Sequence, residues 1–523
     1  MAEFKTPGVY IKEISAFPPS IAGVETAIPA FIGYTEKADF QGKSVAIQPV
    51  RITSLLEYEQ FFGGAQKEVS ITVTIADTVL GGVTTRTISA ATDAATRSRF
   101  KMFYGLQMYF GNGGGPCYII SVGVYPSTSP SDSDITIQPL RDGLAEAAKV
   151  NEVTLLLIPD AMALGSEQYH GLMNEALNQC FTLQDRFTIM DIQHVTGTAN
   201  EINSSVDGFR DAANLGSNID LLKYGAAYFP DLDTALSCHY DDEGVNIIYT
   251  VDGVVQTDID ETTDLTSIGN IHLGMIKNPP VDIKPAVRDG LHLKRTAEIE
   301  LPPGPAEVSG NKELYNQIKL ELSKLTVKMP PSTAVAGIYA AVDSSRGVWK
   351  APANVSVAYT KAATIAISND AQTSMNVDPV SGKSVNAIRY FTGKGVLVWG
   401  ARTLAGNDNE WRYIPVRRYF NFAEKSIKKG TEWVVFEPNE ENTWILVKEM
   451  IENFLTMQWK AGALAGAKPE HAFFVNVGLG ITMTASDILE GRMNIEIGMA
   501  VTRPAEFIIL KFSHKLRDRA SDL

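Results

Sequence analysis

Apolar residues along this chain follow two rhythms. Val153 to Ile158 is a continuous apolar run, as expected of a strand buried on both faces of a sheet, and Tyr169 to Phe181 then repeats its apolar positions at helical spacing. Arg186 to Asp191 and Tyr224 to Pro230 continue the series, and the theme resumes at Val335 to Asp343. Such βα alternation predicts a largely parallel sheet with helical crossovers. Upstream, Phe103, Leu106, Met108 and Tyr109 suggest a helix stopped by Gly111 to Pro116, before the strand Cys117 to Val122.

Two stretches break the alternation. Ser70 to Ile75 and Arg86 to Ser89 flank Gly81-Gly82 like the arms of a hairpin, and Val245 to Thr250 and Val254 to Thr257 bracket Asp252-Gly253. Both read as β insertions, near residues 65–98 and 236–300, the second closed by Pro302-Pro303-Gly304-Pro305 as a rigid link. Beyond about residue 350 the texture becomes α+β. Trp444, Val447, Ile451, Phe454, Leu455 and Gln458 share one face of a long helix begun by Asn442 or Thr443 and ended near Gly462. The strands Phe473 to Val477 and Met493 to Val501, with the terminal run, can supply the sheet that this face covers.

The two ends stand out. Glu506, Phe507, Ile508, Ile509, Leu510 and Phe512 form a strand-like run with apolar residues on both faces, which belongs inside a sheet covered on both sides. At the other end Pro7, Gly8, Val9, Tyr10 and Ile11 read as a turn entering an extended segment, set off by Phe17-Pro18-Pro19-Ser20. Two readings stand: the ends pair within their own chain, or they donate strands to neighbouring copies. The organisation expected is therefore an N-terminal arm (1–25), an α/β domain with two β insertions (26–350), a C-terminal α+β domain (351–502) and a C-terminal arm (503–523).

Composition narrows the function. A chain of 523 residues exceeds one core. Its 46 Lys and Arg against 60 Asp and Glu, a net charge of −14, oppose attachment to nucleic acid or anionic lipid. No signal core opens the chain and no run approaches the ~20 apolar residues of a membrane span, so a soluble chain made in the cytosol is expected. Cys117, Cys180 and Cys238 suit buried reduced thiols better than a disulfide framework or metal knuckle.

Candidate chemistry is sparse. The Gly111 to Gly115 run lies between a helix and a strand, the reverse of a phosphate loop. Cys238-His239 near Asp241 and Asp242 lacks a second ligand pair, and the acidic cluster Asp258, Asp260, Glu261 and Asp264 has Thr263 where a calcium loop needs glycine. Asp160, Asp191 and Asp231 follow predicted strand ends, where an open α/β sheet places either catalytic groups or ordinary caps. Arg417-Arg418 and Lys428-Lys429 read as solvated or intersubunit charges. No metal, cofactor or catalytic constellation is expected.

From residue 346 onward the text becomes specific. Arg346-Gly347-Val348-Trp349-Lys350-Ala351-Pro352-Ala353-Asn354, Asn386-Ala387-Ile388-Arg389, Val398 to Leu404, Trp411 to Arg418 and Phe436-Glu437-Pro438-Asn439 closely resemble contractile tail sheath proteins. Pro7 to Tyr10, Ile28 to Gly33 and Arg503 to Phe507 extend the likeness over nearly the whole chain, the two insertions excepted. The start looks most like sheaths of extracellular phage-tail-like injection systems; bacteriophage sheaths share the C-terminal blocks, and a secretion-type sheath is a third option. The resemblance implies stacked hexameric rings around an inner tube, contraction that drives the tube through an envelope, and terminal arms lent to adjacent subunits. It also implies baseplate and cap partners, without nucleic acid or membrane insertion, in a particle assembled in the bacterial cytoplasm. For the tube contact we nominate Asp487, Glu490 and Arg492 on a turn that Ser486 would cap, against the plainer reading of a capped surface turn. The rival from another class is an α/β enzyme using the strand-end aspartates.

Overall fold

The computed structural model describes residues 20–93, 97–126, 134–256, 271–278, 290–292, 294–295 and 308–509. Two compact units emerge, one holding Val24–Val348 with Pro352–Phe422, the other running from Ala423 with Trp349–Ala351 and residues 20–23.

The larger unit is built on a nine-stranded sheet. Six strands run parallel, in the spatial order Cys117–Val124, Pro29–Thr35, Leu155–Leu157, Phe187–Asp191, Gly225–Phe229 and Val385–Phe391. In chain order this is second, first, third, fourth, fifth, sixth, so the winding reverses between the strands starting at Pro29 and Leu155. Val50–Ile52 closes one edge, and Gly395–Trp399 then Val355–Ser356 the other, all antiparallel. Three strands from residues 352–422, expected with the C-terminal α+β region, thus complete the large sheet.

Why the central strands read as continuous apolar runs is visible in the packing. Ala30, Ile32 and Leu156 enter a core with Leu144, Leu172 and Leu177 from the helices Ile137–Ala148 and Ser166–Leu183. Their neighbours Phe31, Leu155 and Leu157 point to the opposite core, with Leu106 and Ile338 from Met102–Gly111 and Ser332–Arg346. A period of two with both faces covered leaves few polar positions. The apolar run at Val335 is therefore one of the covering helices.

The two β insertions do not stay separate. Ile71–Leu80 and Val83–Thr92 form a hairpin across Gly81-Gly82, and Val245–Val251 and Val254–Gln256 another across Asp252-Gly253. All four turn residues have positive φ, 59° and 83° at the glycines of the first and 47° and 81° in the second, the left-handed geometry of a primed two-residue turn. Val245–Val251 then pairs in parallel with Ile71–Asp77, giving one four-stranded sheet. Ile71, Val73, Ile75, Val245, Ile247 and Tyr249 bury against Leu314, Ile318 and Leu322 of the helix Lys312–Leu322. Pro302 to Pro305 and the acidic cluster from Asp258 to Asp264 lie outside the described residues.

In the smaller unit the helix Glu441–Lys460 starts slightly before the expected Asn442 or Thr443 and buries Val447, Met450, Ile451, Phe454 and Leu455. It packs on the strand Phe473–Val477, which pairs antiparallel with Ile495–Met499. Among the described residues this sheet has only these two strands.

Candidate functional site

The terminal run, expected inside a sheet, joins none within its own chain as far as it is described. Thr502 still bonds the unit, its amide donating to the Ala463 carbonyl at 3.0 Å. Beyond it Phe507, Ile508 and Ile509 are 71%, 80% and 81% exposed. Three consecutive large apolar side chains in water forgo ~1.5–3 kcal/mol each of burial energy. Leu510 and Phe512, and Pro7 to Ile11 at the other end, lie outside the described residues.

The nominated turn gathers its three residues. Thr484, not Ser486, is the N-cap of the short helix Ala485–Leu489, which corrects the expected cap. Asp487 closes a capping box, its carboxylate accepting from the Thr484 amide at 2.8 Å and hydroxyl at 2.6 Å. Ser486 sits one residue inside the helix, and its hydroxyl donates instead to Glu490 at 3.2 Å. Arg492 Nη2 lies 2.9 Å from Asp487 Oδ1, and Arg492 also pairs with Glu490. The Thr484 bonds, helped by Arg492, hold the Asp487 carboxyl down at about 2. The turn is thus a charged, internally braced surface, with Leu489 88% exposed beside it.

The strand-end aspartates divide by role. Asp160 accepts from the backbone amides of Tyr34 at 2.7 Å and Lys101 at 2.6 Å. Asp191 accepts the Ser332 amide at 2.7 Å and its hydroxyl at 2.5 Å, capping the helix Ser332–Arg346. Burial raises the Asp160 carboxyl to about 6 and the Asp191 carboxyl to about 7, against the lowering effect of those bonds. Two of the three are therefore tied to backbone and hydroxyl donors, and Asp231 alone lines an open cavity.

The basic pair Arg417-Arg418 is internal, contrary to the solvated or intersubunit reading. Arg418 Nη1 pairs with Asp343 at 2.9 Å and its guanidinium stacks 4.5 Å over Tyr339, while Arg417 lies 4.5 Å over Trp411 and bonds Asn421. Both are 3% exposed. The signal was local: the pair falls on the helix Ile414–Gly430 among Ile414, Val416 and Tyr419, all buried. Cys117, Cys180 and Cys238 are buried and free, and among the described residues no three His, Cys, Asp or Glu side chains gather as metal ligands.

The brace at Asp487 and the exposed Phe507 to Ile509 both lie within residues 406–515, which match the phage tail sheath C-terminal domain. The C-terminal part of the chain thus carries a tail sheath domain. The chain is similar to the anti-feeding prophage helical sheath in its contracted state, 28% identical with TM-score 0.58 over 98% of this chain and 100% of that one. It shares the fold of the extracellular contractile injection system PVC sheath (24% identity, TM-score 0.58, 98% and 99% of the two chains). It does so too with a chain of the contracted anti-feeding prophage baseplate (24% identity, TM-score 0.61, 99% and 100%). A tail sheath protein of Vibrio phage KVP40 is 28% identical over 134 residues, 24% of this chain. The matched segment spans only 19% of that relative's length. The fold is the mixed α/β multidomain fold of these structural neighbours.

Proposed function

We propose that the chain polymerises as stacked hexameric rings around an inner tube and shortens to drive that tube through a target envelope, in an extracellular phage-tail-like injection particle. The observation that carries the reading is the C-terminal unit: a sheet with two strands among the described residues, in the same unit as a terminal segment that joins no sheet there and has three exposed apolar side chains. A sheet with free edges accepts strands, and a greasy extended segment donates them. The end-to-end correspondence to an injection-system sheath supports the subtype, and likeness to a baseplate chain supports a baseplate as further partner. The phage-tail alternative draws on the domain match and the Vibrio phage relative. In this reading the protein is structural, not an enzyme.

Docking would be driven chiefly by side chains. Fixing the backbone costs ~1–2 kcal/mol per residue while each new hydrogen bond returns ~0.5–1.5 kcal/mol net, so the ladder alone barely balances. Burying Phe507, Ile508, Ile509, Leu510 and Phe512 adds ~1.5–3 kcal/mol apiece and decides the outcome. The N-terminal Pro7, Gly8, Val9, Tyr10 and Ile11, with Glu506 at the other end, complete the proposed arms. Such strands stay docked as tethers while lateral contacts change during contraction. Purified Ile509→Asp protein is expected to remain a folded monomer and form no striated tubes by negative-stain microscopy. Normal tubes from that variant would refute the proposal.

A further inference from the structure

A cavity of about 620 Å³ opens in the larger unit where the parallel strands end. Met162 and Ala163 follow the strand Leu155–Leu157, Gln193 and His194 follow Phe187–Asp191, and Asp231 follows Gly225–Phe229. Arg97, Arg99, Lys101, His170 and Lys328 complete the charged lining. In an open α/β sheet the crevice beyond the carboxyl ends of the strands is where small ligands bind, and the volume suits a metabolite-sized molecule.

The lining is polar and under-satisfied. The Asp231 carboxylate makes no hydrogen bond or ion pair among the described residues, although its carbonyl accepts from Thr364 at 2.9 Å. His170 is 3% exposed; its Nδ1 bonds the Ser166 carbonyl at 2.7 Å and its Nε2 has no partner. Arg97 bonds the Thr326 carbonyl through Nη2, while its Nε is buried without a hydrogen bond, 4.0 Å from Glu68. Lys101 Nζ has one weak bond, 3.3 Å to the Ser98 carbonyl, and Lys328 approaches Asp233 only to 4.0 Å. Burial raises the Asp231 carboxyl to about 6, with His194, Lys101 and Lys328 opposing the shift, so near neutral pH it is an acceptor facing a surplus of cations. Such a lining fits a ligand that brings anionic oxygens to the cations and a hydroxyl hydrogen to the carboxylate.

We propose that this cavity binds a phosphate-bearing small molecule, with its anionic oxygens held by Arg97, Lys101 and Lys328 and a ligand hydroxyl donating to Asp231. Inorganic phosphate carries a P–OH at neutral pH; sulfate has the same shape and no hydrogen to give. A buried acceptor facing sulfate is left unpaired, which costs at least about tenfold in affinity. The test is calorimetric titration of the purified full-length chain near neutral pH with inorganic phosphate, ribose 5-phosphate and sulfate at matched ionic strength. The expected result is binding of at least one phosphate compound, with sulfate about tenfold weaker or undetected. A tighter ribose 5-phosphate identifies an organic ester as the ligand, and a tighter inorganic phosphate the free ion. Asp231→Asn offers an amide donor and is expected to bring sulfate up to phosphate. Lys328→Met, whose side chain is 64% exposed and therefore dispensable for folding, is expected to weaken phosphate about tenfold. Binding of no phosphate compound, equal binding of phosphate and sulfate by the unmodified chain, or an unchanged affinity in Lys328→Met overturns the proposal. Tube formation, scored separately, reports on the sheath reading and not on this one.

Discussion

Asp191 carries two opposed influences in one side chain. Burial favours its neutral form, while the Ser332 amide and hydroxyl favour the carboxylate, and the balance lies at about 7. An unfolded aspartate titrates near about 3.9. The native state therefore binds the proton more tightly, and stability from this group is full below about pH 4 and is lost as pH rises through about 7. Asp191→Asn removes the titration. Its stability relative to the unmodified chain is expected to be more favourable at about pH 8 than at about pH 4.5, measured by urea unfolding; a pH-independent difference would show that the carboxyl titrates normally. Arg418 makes a related point. A guanidinium at 3% exposure is tolerable because Asp343 neutralises it and the Tyr339 face covers it.

At the scale of elements, local signals named the pieces and long-range pairing joined them. The hairpin around Asp252-Gly253, the covering helices and the buried strands were legible, because turn chemistry and apolar period act within a few residues. That Val245–Val251 lies in parallel beside Ile71–Asp77 was not legible, since the partners are far apart in sequence and either strand alone reads as an ordinary hairpin arm. The placement of Val385–Phe391 as a sixth parallel strand escaped for the same reason. The shared insertion sheet has a consequence: its core of Val73, Ile247 and Ile318 is separate from the two cores of the large sheet. Ile247→Asp is expected to open the insertion sheet to limited proteolysis while the thermal transition of the central sheet is retained. Loss of the whole fold in one step would mean the insertion is integral to it.

For the whole molecule, the question is which surfaces meet other chains. The turn at residues 484–492 presents a charged brace whose capping box does not depend on Arg492. In the proposed sheath this turn faces the inner tube and must release it, which suits exposed, solvent-screened charges better than apolar burial. Arg492→Glu is therefore expected to leave the fold intact and to abolish nucleation of sheath on purified tubes, scored by electron microscopy. Unchanged nucleation would remove the turn from the tube-facing surface. Of the candidate site, the terminal run was legible as too apolar to remain in water. Its lack of a strand partner within the described chain was not, because a β-run carries its hydrogen-bonding demand in sequence but not the address of its mate.

The sequence alone determined the α/β alternation, the hairpin turns, the long C-terminal helix and the family likeness, since each rests on residues close together or on ordered blocks of text. Tertiary structure alone decided that two insertions make one sheet and that the Arg417-Arg418 pair is internal. It also decided that Asp160 and Asp191 serve as caps while Asp231 faces a cavity. The physical reason is common to these cases: burial and pairing depend on which distant segment arrives alongside, and no local pattern encodes that arrival.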